Sequence, residues 1–185
     1  MKKLDKNFSL EKYGLKVRLV NENDAEFIVS LRSDPDKTKY MITLDNEVES
    51  QIRWIHEYKR REKEGLDYYF IYSDNENRQI GLNRISHIDY LNRTAKTCSW
   101  ITIEGLINEA FKMSVIQSEI AFELLEIDTF RFEVHKKNNR LIRFYKLFNY
   151  NYIDNGTEYY YFSIMKSDFL KTYNNSLTKK LLQNV

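Results

Sequence analysis

One stretch near the C-terminal end decides the fold of this chain: Val134-His135-Lys136-Lys137-Asn138-Asn139-Arg140-Leu141-Ile142-Arg143-Phe144-Tyr145-Lys146-Leu147-Phe148-Asn149-Tyr150. Apolar and polar residues alternate over residues 130–135, which predicts a half-buried strand. Further along, Leu141, Tyr145 and Phe148 follow helical spacing and predict a short helix. The stretch therefore predicts a strand that leads directly into a helix.

The residues upstream predict a longer helix and three strands. Residues 109–126 form an amphipathic helix, because apolar side chains recur there with helical spacing. Before it, three apolar segments are separated by polar turns, a pattern that is typical of an antiparallel meander. These segments are Tyr68–Tyr72, Gln79–Ile85 and Thr97–Ile103.

The ends of the chain complete the order of elements. Residues 15–20 alternate between apolar and polar and predict a first strand, and two helices follow before residue 65. Residues 159–164 predict a last strand. The order β-α-α-β-β-β-α-β-α-β predicts an α/β (α+β) fold, with a mixed, mostly antiparallel central sheet flanked by helices.

Composition limits the class of protein. A chain of 185 residues fits one domain, residues 1–185, which we divide into a core at 15–165 and terminal extensions at 1–14 and 166–185. The net charge of +2 is too small to indicate nucleic-acid binding. No apolar run is long enough for a membrane helix or a signal peptide, so we expect a cytoplasmic location and no membrane partner. Cys98 is the only cysteine, and no cluster has metal-ligand spacing, so we expect no metal.

The stretch at 134–150 resembles the closing motif of the GNAT family of N-acetyltransferases. In that motif a strand ending in Val is followed by Asn, by a helix that bears Phe-Tyr, and by Gly-Phe. Asn138 falls on the family's Asn and Tyr145 on its Tyr. Asn149-Tyr150 stand where the family has Gly-Phe, and Asn tolerates the positive φ of that glycine better than most residues.

The resemblance extends over residues 15–165. Ser99–Glu104 resembles the family's central strand, and Ile120–Leu125 resembles a helix end in the branch that contains ribosomal-protein N-terminal acetyltransferases. Residues around Arg32 and Tyr68-Tyr69-Phe70 are similar to enzymes that acetylate nucleotide-linked amino sugars. The phosphate loop departs from the family pattern, because Gly105–Lys112 holds one glycine and places Glu109 near the expected phosphates.

The resemblance implies acetyl transfer from acetyl-CoA to an amine, with named residues in the site. Tyr145 is expected to protonate the departing CoA thiolate, although its spacing with Leu141 also fits a core tyrosine. Asn138 is expected to contact the pantetheine arm, although it also suits a helix N-cap. The remaining residues expected to contact CoA are Trp100, Ile101, Thr102, Ile103 and Asn108. Trp100 also fits a core or sheet-face aromatic, and the alternative is a ring that stacks on a nucleotide base.

Two residues are candidates for the base that deprotonates the amine. Glu104 ends the central strand, and His87 lies near a turn on the expected acceptor side; each also fits a merely exposed role. His56 and His135 fall on predicted solvent faces and receive no role. Arg32 and Arg84 are expected to bind a substrate diphosphate, because a guanidinium matches phosphate oxygens in a bidentate fork.

Three functions remain open at this point. The first is acetylation of a small-molecule primary amine, with a nucleotide-linked amino sugar as the preferred acceptor. The second is acetylation of a protein or peptide N-terminus. The third is a GNAT-like binding module without activity, which the altered phosphate loop favours and the presence of Asn138 and Tyr145 opposes. The sequence leaves the oligomeric state open, a homodimer included.

Overall fold

The computed structural model describes residues 2–41, 47–147, 150–173 and 176–183. Its strands are β1 (Ser9–Lys12), β2 (Leu15–Leu19), β3 (Tyr68–Ser73), β4 (Gln79–Asp89), β5 (Thr94–Thr102), β6 (Thr129–His135), β7 (Asn151–Asp154) and β8 (Tyr159–Met165). Its helices are α1 (Ala25–Arg32), α2 (Pro35–Thr38), α3 (Val48–Glu64), α4 (Ile107–Glu119), α5 (Asn139–Leu147), α6 (Lys166–Tyr173) and α7 (Ser176–Gln183). A π-helical turn, Ile120–Leu124, continues α4.

The strands form one sheet in the order β1-β2-β3-β4-β5-β6-β8-β7. Every neighbouring pair is antiparallel except β5 and β6, which run parallel. Parallel neighbours need a crossover connection, and α4 provides it between β5 and β6. This mixed, mostly antiparallel sheet flanked by helices confirms the predicted fold class.

The predicted elements occur in the predicted order, and the structure adds several short ones. The edge strands β1 and β7 have four residues each and largely exposed side chains, so neither shows a clear apolar pattern. A tight turn joins β1 to β2, with φ of 55° at Tyr13 and 74° at Gly14. Positive φ at both central residues fits the right-handed twist of a hairpin.

Helices cover the two faces of the sheet unequally. One face packs against α1 and α3 through a compact apolar cluster that includes Ile28, Ile55 and Leu82. The opposite face packs against α4 and the C-terminal helices in a larger cluster that includes Ile116 and Phe162. We call these the α1–α3 face and the α4 face. Because β5 and β6 lie in the middle of the sheet, any opening between them is reached from both faces.

Candidate active site

β5 and β6 separate soon after they begin, and the gap between them is the centre of the site. They pair only at Thr94↔Thr129, Ala95↔Phe130 and Lys96↔Arg131. Beyond Lys96, β5 continues to Thr102 and β6 to His135 without mutual pairing. The gap opens at the carboxyl ends of two parallel strands, where α/β sheets bind ligands. A salt bridge of 2.7 Å between Lys96 and Glu133 lies at its closed end.

A β-bulge in β5 borders the gap. Arg84 pairs with Cys98 and Leu82 pairs with Ile101, so β5 holds one more residue than β4 over this interval. Ser99 has a φ of 53°, which is uncommon for a residue other than glycine. A bulge bends its strand and increases the local twist. We therefore attribute the separation of β5 from β6 in part to this bulge.

One backbone N–H of β5 points into the gap. The Ile103 N–H donates to the Ile80 carbonyl at 2.9 Å, so it is already used within the sheet. In an antiparallel pair, successive residues direct their N–H groups alternately toward the partner strand and away from it. Because the Ile103 N–H points to β4, the Thr102 N–H points away from β4, toward β6. Of the predicted segment Ile101–Ile103, Thr102 is thus the residue whose N–H faces the gap.

Gly81 lets β4, β5 and α4 approach one another beside this donor. A Cβ atom at this position would lie 2.7 Å from the Ile101 carbonyl oxygen and 2.8 Å from Cε of Met113. The carbonyl belongs to the backbone and cannot move away cheaply. Glycine is therefore required for the close packing that holds Ile101 and Thr102 in place.

Tyr145 lies on α5 against the wall of the gap on the α4 face. Its side chain is 6% exposed, and its ring centroid lies 4.3 Å from Phe132 and 6.4 Å from Trp100. Burial raises the pKa of the Tyr145 hydroxyl, with a further contribution from Tyr150. No hydrogen bond to a described residue contributes to this shift. The hydroxyl thus keeps its proton at neutral pH and is available as a donor.

Trp100 provides a second donor on the same wall. Its ring packs 5.6 Å from Phe144, and its indole Nε1 is buried without a hydrogen-bond partner among the described residues. A buried donor that lacks an acceptor costs about 1–3 kcal/mol. That cost is removed when a ligand in the gap supplies a carbonyl oxygen, so this wall fits a ligand that carries amides.

Asn138 and Asn108 lie at the starts of the two helices that follow β6 and β5. The Asn138 side chain accepts from the Leu141 N–H at 3.1 Å, which shows that it caps α5. Asn108 is exposed in the first turn of α4, where the Ile107 N–H already donates to the Gly105 carbonyl at 3.2 Å. The N–H groups of Asn108 and Glu109 have no carbonyl partner within the helix. Such a helix start suits a phosphate, although Glu109 opposes one there. Phe148 and Asn149 of the predicted motif lie outside the described residues.

Arg84 lies on the α1–α3 face, held by a buried carboxylate. Its Nε donates to Oδ1 of Asp67 at 2.6 Å, its second nitrogen donates to Oδ2, and its guanidinium lies 5.1 Å from the Trp54 ring. Arg61 reaches the same carboxylate at 3.1 Å. Desolvation lowers the pKa of Arg84, but the hydrogen bond and charge of Asp67 outweigh it and raise the pKa overall. Two cations on one anion leave this group net positive.

Arg32 lies close to Arg84 on the same face. Burial raises the pKa of Tyr69 to about 12, and Arg32 opposes part of that rise through its charge and a side-chain hydrogen bond. Tyr69 pairs with Arg84 across β3 and β4, and Arg84 pairs with Cys98 on β5. Tyr69, Arg84 and Cys98 therefore form a row across β3, β4 and β5, with Arg32 beside one end and the β5 bulge at the other. The structure brings together the two arginines that the sequence predicted for substrate binding.

The two predicted base candidates lie at opposite ends of the site. Glu104 is exposed just after Ile103, at the open end of the gap. His87 is exposed in a second bulge, where β4 pairs with the closed end of β5, and its Nδ1 lies 3.0 Å from the Ser86 hydroxyl. Thr102 lies two residues from Glu104, about 7 Å along a strand, and six from Lys96, about 20 Å. The structure does not bring Glu104 and His87 together.

Two residues of the site were not identified from the sequence. No local sequence pattern pointed to Asp67, because only the pairing of β3 with β4 brings it next to its partner Arg84. His135 was assigned to a solvent face, and that assignment is wrong. It is half-buried, with its ring 5.1 Å from that of Tyr40. Alternation in β6 correctly placed its side chain away from the α4 face, but could not show that Tyr40 covers it.

Two other features are absent from the part of the chain that the structure describes. Over residues 2–41, 47–147, 150–173 and 176–183, no three His, Cys, Asp or Glu side chains are grouped as metal ligands. Within the same ranges, no helix combines the length and apolar character that crossing a membrane requires.

Comparison with known proteins identifies relatives of this site. Residues 15–148 match the family described as acetyltransferase (GNAT) domain. The acetyltransferase PseH of Campylobacter jejuni subsp. jejuni serotype O:2 is 24% identical over 151 residues, which cover 80% of this chain and 90% of PseH. PseH of serotype O:23/36 is 25% identical over 158 residues, with the same coverage of 80% and 90%.

Solved structures agree with this assignment. Apo FdhC, described as a nucleotide-linked sugar GNAT, superposes with a TM-score of 0.82 and 29% identity, covering 93% of this chain and 98% of FdhC. Spermidine N-acetyltransferase from Vibrio cholerae, in complex with CoA and spermine, superposes with a TM-score of 0.73. Its identity is 18%, over 85% of this chain and 98% of that one, so it shows a shared fold alone.

Proposed function

The chain belongs to the acetyltransferase (GNAT) domain family, and we propose that it transfers the acetyl group of acetyl-CoA to a primary amine on a nucleotide-linked amino sugar. The observation that carries the proposal is the gap between β5 and β6, which is lined differently on its two faces. The α4 face offers neutral donors such as Trp100 and Tyr145. The α1–α3 face offers the guanidiniums of Arg32 and Arg84.

Acetyl-CoA fits the α4 face of the gap. Trp100 Nε1 would donate to a carbonyl of the pantetheine arm, and Asn138, at the start of α5, would contact the same arm. The first turn of α4, with Asn108, would hold phosphate oxygens through backbone N–H groups. Bound there, acetyl-CoA supplies an activated thioester.

Thr102 is suited to stabilise the charge that develops on the thioester oxygen. Its N–H faces the gap and is held rigidly by the packing of Gly81 against Ile101. A donor fixed before the reaction costs no reorganisation as charge develops, and loss of one such donor typically lowers kcat by about 10²–10³. We therefore assign the oxyanion contact to the Thr102 backbone.

Tyr145 is suited to stabilise the departing thiolate. A thiol has an ordinary pKa of about 8.5, and burial raises the pKa of Tyr145 above the ordinary tyrosine value. Full proton transfer from tyrosine to thiolate is therefore uphill in the protein without ligand. A hydrogen bond from the Tyr145 hydroxyl to sulfur meets the same need at lower cost.

The amine must lose a proton before it attacks, and Glu104 is the better placed of the two candidate bases. It follows Ile103 directly at the open end of the gap, whereas His87 lies level with the closed end. Glu104 is exposed, so water can carry the proton away from it. We propose Glu104, directly or through one water, as the general base.

The α1–α3 face fits the anionic part of the acceptor. Arg84 and Arg61 share the Asp67 carboxylate and keep a net positive charge, and Arg32 lies nearby on Tyr69. Asp67 fixes the direction of the Arg84 guanidinium without neutralising the whole group. A diphosphate supplies the missing negative charge in bidentate geometry. FdhC, described as a nucleotide-linked sugar GNAT, supports this acceptor class, and the acetyltransferase PseH supports acetyl transfer.

The test is a panel of acceptors with labelled acetyl-CoA. It contains an amino-sugar nucleotide, the same amino sugar without its nucleotide, spermidine and an N-terminal peptide. We expect the sugar nucleotide to show at least tenfold higher kcat/KM than the free amino sugar, because only the former pairs with Arg32 and Arg84. Preference for the peptide, with the sugar nucleotide inert, would replace this function with N-terminal acetylation. No acetylation and no CoA binding would favour the inactive binding module.

A further inference from the structure

Three aromatic rings meet at the wall of the gap opposite the bulge. Tyr40 follows α2, His135 ends β6 and Tyr159 begins β8. The His135 ring lies 5.1 Å from Tyr40 in a stacked arrangement and 5.2 Å from Tyr159 edge to face. Tyr159 is 37% exposed, and Tyr40 and His135 are half-buried. We call this group the aromatic wall.

The aromatic wall lies level with the bulge of β5. Lys96 pairs with Arg131. Two residues further along each strand, Cys98 lies level with Glu133. Two more residues bring His135 level with the Ser99–Trp100 bulge. Strands about 5 Å apart at the closed end diverge from there. His135 therefore faces the bulge across the width of the gap.

The aromatic wall also lies on the acceptor side of the sheet. Lys96 pairs with Ser86 and forms a salt bridge with Glu133, and Ser86 lies on the same side of β4 as Arg84. Glu133 and His135 are two residues apart and so share a face of β6. His135 thus points to the α1–α3 face, with Arg84, and away from Tyr145.

The backbone sets which nitrogen of the neutral His135 ring carries the proton. Its Nδ1 accepts from the Lys137 N–H at 3.1 Å, so the neutral ring carries its proton on Nε2. The ring therefore offers a donor at Nε2, and Tyr40 covers one of its faces. A donor beside partly exposed aromatic surface suits a sugar ring, which presents hydroxyl groups at its edge and apolar C–H groups on its faces.

We propose that His135 and Tyr40 bind the amino-sugar ring of the acceptor and select it over amines that lack a ring. The His135 Nε2–H donates to a sugar hydroxyl beside the reacting amine, and Tyr40 packs against an apolar face of the sugar. This inference rests on the proposed function and adds the residues that recognise the sugar ring. It assigns His135 to substrate binding and not to proton transfer, because its Nδ1 lone pair is already used.

Two substitutions separate the donor from the ring. His135→Phe keeps an aromatic ring and removes the N–H, and His135→Gln keeps an N–H near the place of Nε2. We expect His135→Phe to raise the KM for the sugar nucleotide roughly tenfold, which is the effect of leaving one hydroxyl unpaired, with kcat much less changed. His135→Gln should recover part of that loss. Calorimetric titration with CoA should give the wild-type Kd for both, which also shows that they fold.

The matched control is His56→Phe. His56 is 62% exposed on α3, where it pairs with Glu22, and we expect wild-type KM and kcat. A wild-type KM for the sugar nucleotide in His135→Phe would overturn this inference and leave the proposed function standing. If the wild type uses only another amine, the proposed function fails. In that case the sugar assignment fails too: a raised KM for that amine in His135→Phe would leave His135 a role in acceptor binding, and an unchanged KM would remove that role as well.

Discussion

At the residue scale, Tyr145 can be tested by removing one atom. Tyr145→Phe keeps the ring among Phe132, Phe162 and Trp100 and deletes only the hydroxyl. We expect kcat to fall about tenfold to a hundredfold, because a hydrogen bond to a charged group such as the thiolate is worth about 1.5–3 kcal/mol. The Kd of acetyl-CoA should change little, since the hydroxyl acts on the thiolate that forms during the reaction. Steady-state kinetics and CoA titration measure both quantities.

Tyr150→Phe is the matched control for that variant. The Tyr150 ring lies 6.3 Å from the Tyr145 ring, and its hydroxyl is also shielded from solvent, which together with Thr172 and Asp168 sets its pKa at about 12. We expect unchanged kcat, because we assign it no contact with the thiolate. Wild-type turnover in Tyr145→Phe would reduce Tyr145 to the core residue that its packing also allows.

Asp67 shows how one buried residue can orient two arginines on the proposed acceptor surface. It is 2% exposed and accepts hydrogen bonds from Arg61 and Arg84, while both guanidiniums lie near the Trp54 ring. Burial of a lone carboxylate would be costly, and the two arginines remove that cost. In return the carboxylate fixes the Arg84 guanidinium, which lies 5.1 Å from the Trp54 ring.

At the element scale, the start of α5 combines a structural and a proposed binding role in Asn138. Asn138→Ser keeps a good capping side chain and removes the amide, whereas Asn138→Ala removes both. If Asn138 contacts CoA, both variants should weaken CoA binding about fivefold to tenfold, the value of one hydrogen bond. Only the Ala variant should also lose about 1 kcal/mol of stability, because only it loses the cap over the Leu141 N–H.

The two readouts for Asn138 are CoA titration and the free energy of unfolding by denaturant. A Ser variant with wild-type Kd would show that capping is its whole function. A Ser variant that is destabilised as much as the Ala variant would instead show that the cap depends on the amide itself.

The elements that could be predicted from the sequence are those with a strong apolar period. β3 is an unbroken apolar run, and α4 and β6 repeat apolar residues regularly. With the π-helical turn counted as the end of α4, the predicted bounds differ from the observed ones by one or two residues. β1 and β7 escaped prediction because edge strands are exposed and short. Pairing across the sheet also creates contacts that no local pattern contains.

The candidate site also contains residues that a local pattern predicts and residues that only long-range contacts bring in. Asn138 and Tyr145 could be predicted because they lie seven positions apart in one recognisable stretch. The contact of Arg84 with Asp67 depends on the register between β3 and β4. The contact of His135 with Tyr40 depends on the position that the chain takes after α2. Long-range packing of this kind follows from the whole fold and not from spacing along the chain.

At the scale of the whole molecule, the divided sheet explains how two reactants meet. CoA is proposed to approach from the α4 face and the acceptor from the α1–α3 face, and the gap between β5 and β6 joins them. Holding two reactants in one geometry lowers the barrier by removing translational and rotational freedom in advance. The closed end at Lys96–Glu133 and the Gly81 contact hold the walls of the gap in position.

The β1–β2 turn and α6 meet at the end of α4. The Tyr13 hydroxyl, from the β1–β2 turn, donates to Glu119 at 2.6 Å and lies 2.8 Å from the Tyr173 hydroxyl of α6. Lys12 adds a salt bridge to Glu119 at 2.9 Å. Burial raises the pKa of Tyr13, and the hydrogen bond to Glu119 adds to that rise, so the tyrosine stays a donor. This group attaches the first hairpin and α6 to the helix that begins beside the gap.

The segment after residue 165 is therefore expected to contribute to the stability of the whole domain. Phe169 of α6 is 4% exposed and packs 5.3 Å from Phe122, in the cluster that also holds Phe162. Phe169→Ala should cost about 3–5 kcal/mol, since it removes a buried ring and leaves a cavity. For a chain of this size that lowers Tm by roughly 10 °C.

Leu170→Ala provides the comparison within the same helix. Leu170 is 41% exposed, so its truncation should change Tm by no more than about 1–2 °C. Differential scanning calorimetry of both variants with and without CoA measures the effect. Because we assign Phe169 no contact with either proposed ligand, the shift in Tm that CoA produces should be the same in both. Equal Tm values for the two variants would show that α6 is an appendage and that the domain is complete without it.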